Sequence, residues 1–209
     1  ELEPPFLCLA ISGGNTLIAD VRDYTDIRVL GSTRDDAAGE CFDKTARVLG
    51  LPYPGGKPLD DLSQGGDDTK YHMPVSHVDG NPLDMSFSGL KTAVINLVHG
   101  AQQRGEEIDG ASLAASFTRA VSESLVPRTM EALGRLGYDK LAVAGGVAAN
   151  SRIRRDFTEA AGRAGVKLYI PPLRLCGDNA AMIGSQAYYE FLAGHTADTA
   201  LNAYATLEL

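Results

Sequence analysis

The chain has 209 residues, is 44% hydrophobic and carries a formal net charge of −8. That suffices for a sizeable core, and no apolar run approaches the length of a membrane span. The charge excludes nucleic-acid binding through bulk electrostatics alone. The three cysteines, Cys8, Cys41 and Cys176, form no zinc-type pair and point to reduced thiols in a cytoplasmic protein.

The opening Glu1-Leu2-Glu3-Pro4-Pro5 is acidic and proline-bearing, unlike a signal peptide, and is expected to be the tail of an inter-domain linker. Phe6 to Ile11, Leu17 to Val21 and Ile27 to Gly31 read as three strands joined by short turns, an antiparallel meander. The first turn, Ser12-Gly13-Gly14-Asn15-Thr16, is either a plain hairpin turn or a phosphate-facing one. Acidic residues from Asp35 crowd the start of the next helix, as the helix dipole favours. Asp43 lies past its first turn, so capping does not explain it; it is either a ligand-facing carboxylate or simply exposed, and the pattern alone favours exposed.

Leu51 to Asp84 is rich in proline and glycine and is expected to be a peripheral, irregular insertion. Lys57 does not belong to a P-loop, because Pro58 follows it and no strand precedes it. Ser86 to Thr92 opens a helix reaching about Gln103. Ser88 and Lys91 share the S-x-x-K spacing of serine acyl enzymes, but the companion K-T-G is missing. Gly110 to Gly137 is helical, with Leu113, Phe117, Val121 and Leu125 recurring every fourth residue. Pro127 is expected to kink or divide that helix.

Leu141 to Ala144 fit a buried strand. Gly145 and Gly146 follow directly, and Asn150 stands where a helix from about Ser151 to Ala164 begins. Strand, glycine turn and helix N-terminus is a geometry that offers backbone N–H groups to phosphate, although an ordinary α/β turn has the same pattern. Arg152, Arg154, Arg155, Arg163 and Lys167 cluster around this helix, either as a solvated face or as a local basic patch. Val166 to Ile170 predicts a last strand. Asp178 precedes a final helix to about Ala193, either as its N-cap or as a metal ligand. A meander, then helices, then β-α-β-α predicts an α/β, ribonuclease-H-like layer with Lys140 to Ala144 central.

Six segments in fixed order carry a resemblance: Ala10 to Gly14, Asp35 to Lys44, Tyr53 to Gly56, Ser86 to Thr92, Ala144 to Asn150 and Asp178 to Ile183. The chain resembles the carboxy-terminal lobe of the tRNA threonylcarbamoyladenosine transferase family, once labelled glycoproteases. The resemblance implies an actin-like, ATPase-type lobe with a mixed sheet flanked by helices. It implies transfer of a threonylcarbamoyl group from threonylcarbamoyl-adenylate to N6 of the adenosine beside the tRNA anticodon. It places Ala10, Ile11, Ser12, Gly13 and Gly14 along the substrate, the last three beside its acyl-phosphate end and a metal. Asp43 and Gly56 should hold the ribose, and Gly145, Gly146 and Asn150 the adenosine. Asp178 should ligate one divalent metal ion, iron or zinc.

The family's H-x-x-x-H helix is missing here, since His72, His77, His99 and His195 are scattered and read as surface residues. Asn15, Lys57 and Ala180 also depart from the family pattern, which commonly has histidine, proline and glycine there. The expectation is therefore one lobe of a larger enzyme, inactive alone and holding no metal or nucleotide tightly. Implied partners are tRNA and other proteins of the assembly, including a paralogous scaffold subunit. A non-catalytic scaffold is the alternative; Asp43, Asn150 and Asp178 favour the enzyme.

Overall fold

The computed structural model describes residues 2–75 and 77–203. Its meander is β1 (Phe6–Ile11), β2 (Thr16–Asp23) and β3 (Asp26–Ser32). Four helices follow: α1 (Ala38–Val48), α2 (Gly56–Ser63), α3 (Ser88–Arg104) and α4 (Gly110–Leu136). The chain then returns as β4 (Lys140–Ala144), α5 (Ser151–Ala164), β5 (Lys167–Tyr169) and α6 (Ala180–Leu192).

The five strands form one mixed sheet in the order β3-β2-β1-β4-β5. β1 runs antiparallel to β2 and parallel to β4, with Cys8 opposite Ala19 on one side and Ala142 on the other. β4 is an interior strand, as expected, but the middle position belongs to β1. Leu7, Leu9 and Ile11 alternate along β1 and are fully buried, whereas Leu141, Ala142 and Val143 are buried in succession. Consecutive burial marks a strand covered on both faces.

The four-residue repeat of α4 is the second half of the core. Leu113, Phe117, Val121 and Leu125 are all fully buried, and α4 packs against α2, α5 and β1. Phe117 meets Phe42 of α1 edge to face, with ring centroids 5.1 Å apart. Pro127 does not divide α4. Leu125, Thr129, Ala132 and Leu133 are buried on either side of it. Their packing outweighs the one backbone bond a proline removes.

Two expectations, one at a helix end and one for residues 51–84, are corrected. Asp35 and Asp36 lie before α1 rather than in its first turn. Asp35 instead accepts the Phe87 N–H at 2.8 Å and the Ser88 N–H at 3.2 Å, so it serves the start of α3. Burial pushes the Asp35 carboxyl up, but these bonds and those from the Ser86 and Ser88 hydroxyls outweigh it, and its pKa is lowered. Residues 51–84 are not merely peripheral: they contain α2, and Leu59, Met73 and Leu83 join the core. By contrast no residue of α6 is buried. Its ties include the stack of Tyr189 on Tyr24, 3.7 Å between centroids, and the Gln186 amide donating to the Tyr24 carbonyl. Among the described residues no helix is long and apolar enough to cross a membrane.

Phe117→Ala should lower unfolding free energy by ~3–5 kcal/mol, because a fully buried aromatic leaves a cavity between α1 and α4. Urea denaturation checks this; a loss under about 1 kcal/mol would mean that the α1–α4 contact is not part of the core.

Candidate functional site

The parallel pairing of β1 and β4 brings their carboxyl ends, and both glycine turns, to one edge of the sheet. After β1 the chain closes a tight turn: the Ser12 N–H donates to the Asn15 carbonyl at 2.8 Å, and the Asn15 N–H to the Ser12 hydroxyl at 3.0 Å. The start of α1 rests on this turn, with the Gly39 N–H donating to the Ser12 carbonyl at 3.1 Å. The buried Thr16 hydroxyl accepts from the Ala38 N–H at 2.9 Å.

After β4 the backbone turns at Gly145, whose φ is +98°. A Cβ there would lie 2.3 Å from the Ile11 carbonyl oxygen, so only glycine lets the turn cross the end of β1. One 3₁₀ turn, Gly146–Ala149, then leads to Asn150, the N-cap of α5. Its side-chain oxygen accepts the Ile153 N–H at 3.0 Å. The residue is 7% exposed, and its amide nitrogen has no hydrogen-bond partner among the described residues. A buried amide donor left open is costly, and a ligand offsets that cost.

The third wall comes from residues 54–60. Asp43 reaches from α1 to accept the Gly55 N–H at 2.7 Å, which holds α2 against α1. Asp60, on α2, accepts from the Ser151 backbone N–H at 3.1 Å and from its hydroxyl at 2.6 Å. One carboxylate thus ties α2 to the first turn of α5.

These walls enclose a cleft of about 600 Å³, a size suited to a small ligand. Of the residues expected from sequence, Gly13, Asp43, Gly56, Gly146 and Asn150 line it. Ala10 and Ile11 stand at the end of β1, Ile11 fully buried. Ser12 and Gly14 belong to the Gly13 turn, and Gly145 lies beneath the floor. Asp178 is exposed and is not among the lining residues. It is not the cap of α6 either; Asn179 is, accepting the Met182 N–H at 3.2 Å.

Asp43 is half-buried and engaged, not exposed as its position in the helical pattern suggested. Asp60, Phe42, Val147 and Leu173 also line the cleft and were missed. For Asp60 the available signal was a carboxylate four residues after Gly56 on a helical face.

The chemistry available is mainly binding and positioning. Behind the cleft, burial pushes the Cys41 thiol up to about 12, so it is no thiolate at neutral pH. Ser88 donates to Asp35 and Lys91 to Asp36, so the S-x-x-K pair is divided between two carboxylates. His72, His77, His99 and His195 are all exposed. Among the described residues no group of three or more His, Cys, Asp or Glu is placed to hold a metal ion. A single exposed Asp178 does not fit a zinc or iron centre, which takes at least three protein ligands.

A second, polar cavity of about 330 Å³ lies beside the start of α5, with Asp68, Arg152 and Arg155 in its lining. Its charges are paired within the protein: Arg152 engages Asp68 and Asp156.

A family model described as TsaD, tRNA N6-adenosine threonylcarbamoyltransferase, matches residues 1–185. A curated protein of that name from Clostridium botulinum (strain Kyoto) is 46% identical over the whole chain, which spans 62% of the relative. One from Moorella thermoacetica is 50% identical over 205 residues, 98% of this chain and 60% of the relative. The chain therefore spans about three-fifths of the length of these relatives. In fold it is similar to full-length HypF in its phosphate- and nucleotide-bound form, with a TM-score of 0.66 at 13% identity, over 91% of this chain and 34% of HypF. A HypF from T. kodakarensis gives 0.62 at 16% over the same shares.

The two adjacent glycines separate by role. Gly145→Ala should cost ~2 kcal/mol or more in urea denaturation, from positive φ and the Ile11 contact. Gly146→Ala has free space and should cost under about 1 kcal/mol, while its methyl group narrows the cleft. Equal effects would mean that the turn is not seated on β1. For metal, elemental analysis of the dialysed chain should find well under one equivalent of zinc or iron. Close to one per chain would place ligands where the described residues show none.

Proposed function

This chain belongs to the tRNA N6-adenosine threonylcarbamoyltransferase family, and we propose that it forms the nucleotide-holding lobe of such an enzyme. One observation carries the reading. The Asn150 amide nitrogen is buried and has no hydrogen-bond partner among the described residues, on the wall of a cleft where two glycine turns meet a helix N-terminus. A ligand that accepts from that amide and places negative charge near the turns suits this geometry. The adenylate part of threonylcarbamoyl-adenylate has both features.

In the proposed arrangement the adenosine lies against Gly146 and Asn150, and Asp43 and Gly56 face the ribose. A Cβ at Gly13 or Gly14 would meet no atom within 4 Å, so a phosphate has access to their peptide groups. Ala10, Ile11, Ser12 and Gly145 hold these turns rather than touch the ligand. The donor is a mixed anhydride and is already activated. The N6 amine of the adenosine forms a bond to the carbamoyl carbon, the bond from that carbon to the phosphate oxygen breaks, and AMP leaves with the electron pair as the amine loses a proton. The lobe's contribution is placement and stabilisation of oxyanion charge. No side chain of this chain is assigned as a nucleophile.

Asp178 is proposed as one ligand of a divalent iron or zinc ion whose other ligands lie outside these residues, and no step above passes through it. The complete enzyme is proposed to act on tRNA in the cytoplasm, together with other proteins of the modification assembly. The chain alone is proposed to be inactive and to bind adenine nucleotide weakly.

Calorimetry on two variants tests the assignment. Asn150→Ser keeps a capping oxygen but removes the amide. It should leave stability within about 1 kcal/mol while lowering AMP affinity at least several-fold. Asn150→Ala should lose both. Unchanged AMP affinity in Asn150→Ser would remove the adenosine from this wall.

A further inference from the structure

Resting on the reading that the cleft holds the acyl donor, we infer that Tyr53 and Lys57 form the RNA-facing rim of the site. Tyr53 is a stacking surface for an unpaired base beside the one that reacts, and Lys57 is a contact for a neighbouring phosphate. Among the described residues Tyr53 is the most exposed large apolar side chain, at 77%. A lone exposed apolar residue is ordinary on any surface. Its mounting is what sets this one apart.

Pro54, Gly56 and Lys57, which follow it, line the cleft. The Gly55 N–H is held by Asp43, and a Cβ at Gly55 would lie 2.3 Å from the Ala46 Cβ. The segment is therefore clamped down on α1, and the exposed ring stands on a fixed base at the mouth of the site. Holding the ring there costs little additional ordering when a base stacks on it.

Lys57 is 82% exposed, and its partner is Asp61 one turn along α2, itself 62% exposed. An exposed i,i+4 pair contributes little, so a phosphate displaces Asp61 at low cost.

The charge of the chain favours such local contacts. At −8 its overall field repels RNA, so affinity has to come from groups at the mouth. Base–aromatic stacking does not depend on charge and tolerates any sequence. A base whose amine must enter a cleft has to leave its stack, and the base next to it then needs a new surface.

Fluorescence anisotropy with an RNA hairpin carrying unpaired loop adenosines tests this on the full chain, alongside AMP titrations. Tyr53→Ala should weaken RNA binding about tenfold, and Tyr53→Phe should restore it. AMP affinity should stay within about twofold in both variants, because the ring lies outside the cleft lining. Lys57→Gln should reduce the slope of log affinity against log salt by about one.

RNA binding by Tyr53→Ala equal to wild type overturns the inference. So does a parallel loss of AMP and RNA, or no RNA binding by the wild-type chain. If the wild-type chain binds no AMP but the Tyr53 effect on RNA is intact, the RNA contact stands and the donor-site reading falls.

Discussion

The site exists because β1 and β4 lie side by side and point the same way. A parallel pair ends its two strands at one edge, so the turn after each strand opens at the same place. Had β4 joined the sheet antiparallel, Gly146 and Asn150 would lie at the opposite end from Gly13. The close passage of Gly145 over the Ile11 carbonyl fixes how far the second turn stands from the first.

Two carboxylates then close the cleft by fixing its third wall. Asp43 holds the Gly55 backbone, and Asp60 holds the first residue of α5, so α1, α2 and α5 are tied together around one volume. Each residue is bound into the protein on one side and lines the cleft on the other. The same bonds that hold the wall therefore also set where a ligand would meet it. Phe42 joins this wall to the core, since its ring lines the cleft and packs on the fully buried Phe117.

Local periodicity made most of the fold legible. The alternation of Leu7, Leu9 and Ile11 and the four-residue repeat of Leu113, Phe117, Val121 and Leu125 are direct records of burial. Asn150 was legible as a cap because capping is a local interaction, resolved within three residues. The helical pattern alone favoured an exposed Asp43 because its partner, the Gly55 N–H, lies on another element. Asp60 was missed for the same reason, its partner Ser151 being 91 residues away. Pro127 was expected to kink or divide α4, and tertiary packing keeps the helix undivided. Asp35 looked like dipole chemistry for α1, but it is a bond to α3 across 52 residues. The sequence resolved interactions within one element and lost those between elements, and the cleft is built mostly from the second kind.

Hydrogen–deuterium exchange with and without saturating AMP tests the central claim most directly, because it reads all three walls at once. The account predicts that nucleotide slows exchange together in residues 12–15, 39–43, 55–60 and 146–153. Protection confined to residues 63–68 and 152–155, around the second cavity, or no change at any of these walls, would contradict it.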